Sequence, residues 1–134
     1  MTEYHLSAPI RGAFEQARET LFTLLQENGL SVVSDVNVQA TLENKLGKKM
    51  RPVHIYGACN AKLAERIVDA EPTALTLLPC TFVLREENDS SCIASFMHPK
   101  NILGLAEHDE VQAVAVLAQE KIEKIVQTLH QISE

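Results

Sequence analysis

Apolar residues recur along the chain with the period of helices in some stretches and of strands in others. The clearest helical stretch lies near the C-terminus, where apolar side chains return every three to four residues from Val111 to Ile132. Glu107, Asp109 and Glu110 place negative charge at its start, where the helix dipole favours it. We therefore predict a long C-terminal helix. Its apolar stripe widens near the N-terminal end at Val114, Val116 and Leu117, which favours association with a second copy of the chain.

Alternation and turn residues divide the rest of the chain. Strands are predicted over 2–7, 30–36, 53–58, 80–85 and 92–97, and helices over 38–46 and 61–70. A further helix is predicted to begin at Pro9, a residue suited to a first helical position, and to end at Asn28-Gly29. Residues 74–78 are too short to classify, and 100–106 suggest a loose helical turn. The order of elements predicts an α+β fold in one domain, 1–134.

Charge and composition narrow the class of partner. Lys plus Arg number 12 and Asp plus Glu 18, so the net charge is −6, whereas nucleic-acid-binding domains usually carry a basic surface. The acidic balance also argues against attachment to anionic lipid. No apolar run is long enough to span a membrane, and the N-terminus lacks the regions of a signal peptide. We therefore expect a cytoplasmic protein with neither nucleic-acid nor membrane partners.

Two of the three cysteines lie where predicted elements begin or end. Cys59 lies where a predicted strand gives way to a helix, just before Asn60, a good N-cap, and Cys80 opens a strand after Pro79. A thiol beside a helix N-terminus has a lowered pKa, so we expect Cys59 to be the most thiolate-prone cysteine. Together, Cys59 and Cys80 could hold a soft metal, form a reversible disulfide or carry a persulfide. Alternatively, both are small buried core residues, as Cys92 on the predicted hairpin is expected to be.

Other site chemistry receives little support. A metal would need His54 and His98 beside the cysteines, and no Cys-x-x-Cys or His-x-x-x-His spacing occurs, so we expect no metal and no cofactor. No phosphate-binding glycine loop or hydrolase motif is present. The basic cluster of Lys45, Lys48, Lys49 and Arg51 is either a solvated loop or an anion-contacting one.

The cysteine segments resemble those of a bacterial and archaeal family called "domain of unknown function 302". That family carries Gly-x-Cys-Asn, then an Ala, then Leu-Pro-Cys. Here these are Gly57 to Asn60, Ala64 and Leu78 to Cys80; Lys45 to Gly47 resembles its Lys-Leu-Gly stretch. Ala61 stands where the family often has Pro. The resemblance implies an antiparallel curved sheet of about five strands packed by helices, as in TATA-box-binding-protein-like architecture, and a tendency to dimerise. It implies no DNA binding and no particular reaction.

Three functions remain open. The first is a homodimeric binding module with a small-molecule pocket near Cys59, Asn60, Pro79 and Cys80, with Lys45 as a further contact. The second is a thiol-dependent enzyme, or a sulfur or metal carrier, that uses Cys59 and Cys80. The third is a structural or interaction protein whose cysteines are core residues.

Overall fold

One five-stranded antiparallel sheet organises the chain. A computed structural model describes residues 3–133. The strands are β1 (His5–Arg11), β2 (Ser31–Asn37), β3 (Val53–Cys59), β4 (Cys80–Asn88) and β5 (Ser91–Met97). Their order across the sheet is β1-β5-β4-β3-β2, so β1 and β2 are the two edges. Cys59 and Cys80 therefore lie on β3 and β4, two neighbouring strands in the middle of the sheet.

Within residues 3–133, five α-helices connect or cover these strands. They are α1 (Phe14–Glu27), α2 (Val38–Leu46), α3 (Ala61–Ala70), α4 (Pro99–Leu103) and α5 (Asp109–Ile132), with 3₁₀ segments over Pro72–Leu77 and Gly104–Ala106. The long C-terminal helix is confirmed, since α5 has 24 residues. The expected α+β class with a curved antiparallel sheet is confirmed as well.

The main core lies between α1, α5 and one face of the sheet. Tyr56, Phe82 and Phe96 stand opposite one another on β3, β4 and β5, and their rings stack with centroids 5.1 and 5.4 Å apart. Leu21 of α1 and Leu129 of α5 are fully buried in the same cluster. A second cluster joins α3, α4 and the first turns of α5 beyond one end of the sheet. The cysteine segments run between these two clusters.

The first strand is predicted over 2–7, but it lies later in the chain, at His5–Arg11, so Pro9 is inside it rather than at a helix start. Residue 2 of the predicted strand lies outside the described residues. Ala8 and Ile10 point into the core, while Pro9 and Arg11 are exposed. An edge strand tolerates proline because the missing N–H is not needed in a ladder on both sides. The chain turns at Gly12, whose φ is +107°, and α1 begins only at Phe14.

No helix within residues 3–133 combines the length and the apolar character that crossing a membrane requires.

Candidate functional site

Cys59 and Cys80 line one small cavity at the junction of β3, β4, α3 and α5. The space inside is about 30 Å³, which admits a group about as large as one water molecule. Its walls are almost entirely apolar. They are formed by Leu30, Ala58, Cys59, Asn60, Leu63, Ala64, Ile67, Leu78, Cys80, Leu103, Val114 and Ala118.

Strand register explains why the two thiols share this cavity. Cys80 stands opposite Ala58 at the ends of β4 and β3, and Cys59 follows Ala58 directly. Cys80 is buried, Cys59 is half-buried, and neither forms a disulfide. Burial, with a smaller contribution from the nearby Cys59 thiol, raises the pKa of Cys80 to about 11. The cavity therefore holds two neutral thiols at neutral pH.

The pKa of Cys59 is raised by burial, contrary to the lowered value expected from its place before a helix. At the start of α3 it is Asn60, and not the thiol, that bonds the free backbone N–H. Its Oδ1 accepts a hydrogen bond from the Leu63 N–H at 3.0 Å, and its Nδ2 donates to the Gly29 carbonyl at 2.8 Å. Cys59 is nevertheless the most accessible thiol, because Cys80 and Cys92 are both buried.

The Pro79 ring packs closely against Gly57 of β3. A Cβ atom added to Gly57 would overlap the Pro79 ring and the Ser34 hydroxyl. Gly57 of β3 stands opposite Thr81 of β4. Pro79, which directly precedes Cys80 at the start of β4, therefore places its ring over the β3 backbone at Gly57. The glycine of the Gly-x-Cys-Asn segment and the proline of Leu-Pro-Cys are therefore complementary packing partners.

Lys45 does not join the other predicted site residues. It lies on α2, which starts after Asn37, and Asn37 stands opposite His54 near the start of β3. Cys59 is at the other end of β3, about 17 Å further along at roughly 3.4 Å per residue. The structure brings Cys59, Asn60, Pro79 and Cys80 together and leaves Lys45 exposed elsewhere.

Cys92 is a core residue, as the sequence predicts. Its side chain is fully buried, and its thiol donates to the Gly12 carbonyl over 3.6 Å. Burial, with a smaller effect of the Glu86 charge, raises its pKa to about 11. Within residues 3–133, no three His, Cys, Asp or Glu side chains gather closely enough to hold a metal ion.

A cluster of polar side chains that the sequence does not reveal lies on the face of β3 that packs against the helices. His54 Nδ1 is 2.6 Å from the Asp35 carboxylate on β2. The His54 ring stacks on Tyr56, and burial raises the pKa of the Tyr56 hydroxyl, opposed in part by Arg18. Alternation on β3 places His54 and Tyr56 on one face, but only the register with β2 brings Asp35 to them.

Known proteins share this architecture. The family model described as "Domain of unknown function DUF302" matches residues 6–129. A crystal structure of an uncharacterized conserved DUF302 protein from Bacillus stearothermophilus is similar in fold, with a TM-score of 0.84 at 19% identity. The similarity covers 96% of this chain and 99% of that one. A comparison with curated proteins gives no match.

Proposed function

The chain belongs to the DUF302 family, and on that premise we propose that it is a homodimeric binding module for a small molecule beside Cys59 and Cys80. The observation that carries the proposal is the convergence of both cysteines on one cavity. The cavity itself holds only about 30 Å³, so the body of a ligand sits outside it and only a terminal group enters.

Binding accounts for the thiols better than nucleophilic catalysis does. A thiol-dependent enzyme needs thiolate at neutral pH, which requires a lowered cysteine pKa. Here burial raises the pKa of Cys59, and that of Cys80 reaches about 11. Neutral, weakly polar thiols suit an apolar contact surface.

The dimer part of the proposal is supported by apolar side chains left exposed on α5. We place Val116, which is 44% exposed, at the centre of the proposed contact, and Leu117, which is 37% exposed, at its edge, where it also lines the surface shared with Asn60 and Lys62. Both stand near the N-terminal end of the helix, away from the stripe that faces the sheet. Apolar neighbours of this kind often mark an association surface.

The ligand part is tested by NMR. Neutral, anionic and cationic small molecules are titrated into uniformly labelled protein, and backbone amide shifts are recorded. We expect at least one class to shift the amides of Cys59, Asn60 and Cys80, and Cys59→Ser to weaken that response more than Cys92→Ser. If no compound of any class shifts these amides, the binding proposal is wrong.

The dimer part is tested by sedimentation equilibrium at micromolar concentration. We expect twice the 14.8 kDa of one chain. Val116→Glu should produce monomers, whereas Leu46→Glu, which changes a residue 74% exposed on α2, should leave the dimer intact. A single 14.8 kDa species in the unmodified protein would refute the dimer.

A further inference from the structure

A surface groove of about 450 Å³ lies beside the cysteine cavity. It is a shallow depression that is open to solvent along much of its length. Asn60 and Leu63 line both spaces, so the groove and the cavity are adjacent. The remaining groove residues are Asn28, Lys62, Leu117, Glu120, Lys121 and Lys124.

The groove is basic although the chain is acidic. Three lysines, Lys62, Lys121 and Lys124, line it against a single carboxylate, Glu120, in a chain of net charge −6. Across residues 3–133, none of the three ammonium groups forms an ion pair with a carboxylate. Lys121 Nζ donates to the Asn28 carbonyl over 3.0 Å, and the other two lysines are exposed. Their charge is therefore available to an anion.

Leucines give the same groove an apolar wall. Leu63 is half-buried between groove and cavity, and Leu117 is 37% exposed. Leu63 also lines the cavity, whose walls are mostly apolar and include Cys59 and Cys80. A ligand that fits both the lysines of the groove and its apolar wall therefore has a charged end and an apolar end.

We propose that the groove binds a small organic anion with a short apolar part. The anionic group contacts Lys62, Lys121 and Lys124, and the apolar part lies over Leu63 and Leu117 and points towards Cys59. The inference rests on the proposed function, because it names the class of ligand for that site.

The test uses hexanoate as the probe, with hexylamine and hexanamide as partners of equal chain length and different charge. Amide shifts are followed by NMR at low salt. We expect hexanoate to shift the amides of Asn60, Leu63 and Leu117, and to bind at least tenfold more tightly than either partner. Raising the salt concentration should weaken the binding of hexanoate more than the binding of hexanamide, because salt screens exposed charges.

A pair of charge-reversal variants identifies the groove. Lys62→Glu/Lys124→Glu should raise the hexanoate Kd at least tenfold. Lys48→Glu/Lys49→Glu makes the same change of charge in the exposed loop before β3 and should change the Kd less than twofold. Lys121 is left in place because its ammonium group bonds the end of α1. The four substituted residues, Lys48, Lys49, Lys62 and Lys124, are all exposed, so both double variants are expected to fold.

The outcomes separate this inference from the proposed function. If hexanamide or hexylamine shifts the amides of Cys59 and Cys80 as strongly as hexanoate does, the site exists but the anion inference is wrong. The same holds if both double variants bind hexanoate equally. If none of the three probes shifts the amides of Asn60, Leu63, Leu117, Cys59 or Cys80, the anion inference is wrong, while the binding proposal is decided by the wider set of compounds described above.

Discussion

Replacing Gly57 with alanine should destabilise the protein. The new Cβ overlaps the Pro79 ring and the Ser34 hydroxyl, and overpacking of this kind costs about 1–3 kcal/mol. Alanine also restricts the unfolded chain, which offsets about 0.4–1 kcal/mol where no strain arises. We therefore expect a net loss between about 0 and about 2.6 kcal/mol, centred near about 1.3 kcal/mol, in the free energy of unfolding.

Urea unfolding followed by far-ultraviolet circular dichroism measures this loss. The midpoint should fall while the slope stays constant, since the surface exposed on unfolding does not change. Gly104→Ala is the matched control. Gly104 has a helical φ of −61°, and a Cβ there meets no atom within 4 Å, so this variant should be neutral or slightly more stable. If Gly57→Ala is as stable as Gly104→Ala, the packing argument is refuted.

A second measurement locates the strain. Pro79 directly precedes Cys80, so displacement of the proline ring should expose the neighbouring thiol. Alkylation of native Gly57→Ala should therefore be faster at Cys80, with no change at Cys92. A loss of stability without faster labelling of Cys80 would mean that Ser34 moves instead of Pro79.

Other substitutions and conditions test the core, the helix start and the thiols. Leu129→Ala should cost about 2–4 kcal/mol in urea unfolding because Leu129 is fully buried, whereas Ile132→Ala, at a residue 51% exposed, should cost less than about 0.5 kcal/mol. Asn60→Ala should cost about 1–2 kcal/mol in the same assay, because it removes the N-cap of α3. The pKa of Cys80 is raised in the folded protein, so its contribution to stability is complete below the ordinary thiol pKa of 9.0 and is lost as the pH rises through about 11. Urea midpoints should therefore fall between these pH values, and they should fall less in Cys80→Ala. Iodoacetamide labelling with peptide mapping should be fastest at Cys59 and should keep rising up to pH ~9, since burial raises its pKa; a plateau near pH 7 would contradict that direction.

Much of the fold follows from local pattern, and the exceptions have tertiary causes. The helix period of α5 and the alternation of β4 and β5 are strong enough to predict those elements. Pro9 misled the prediction because its preference for a helix start is outweighed by Ala8 and Ile10, which bury their side chains from an edge strand.

The site was partly predictable for the same reason. Cys59 and Cys80 end and begin neighbouring strands, so the sequence indicates where they lie but not that burial would raise the pKa of both. The basic groove could not be predicted, because Lys62 on α3 and Lys121 on α5 are distant in sequence and meet only through packing. The basic cluster around Lys45 is visible in the sequence, yet it folds away from the cysteines.

Local opening of the segment formed by β2 and α2 is expected to affect how fast Cys59 reacts. β2 is an edge strand with a register shift between Val32 and Ser34, and α2 contains no fully buried residue. Such a segment opens at a free energy below that of global unfolding, so its amides should exchange with deuterium before those of β4. Ser31, where the segment begins, stands opposite Cys59. Opening of this edge removes the strand partner of Cys59, so we expect Cys59 to be alkylated faster under conditions that speed deuterium exchange in β2.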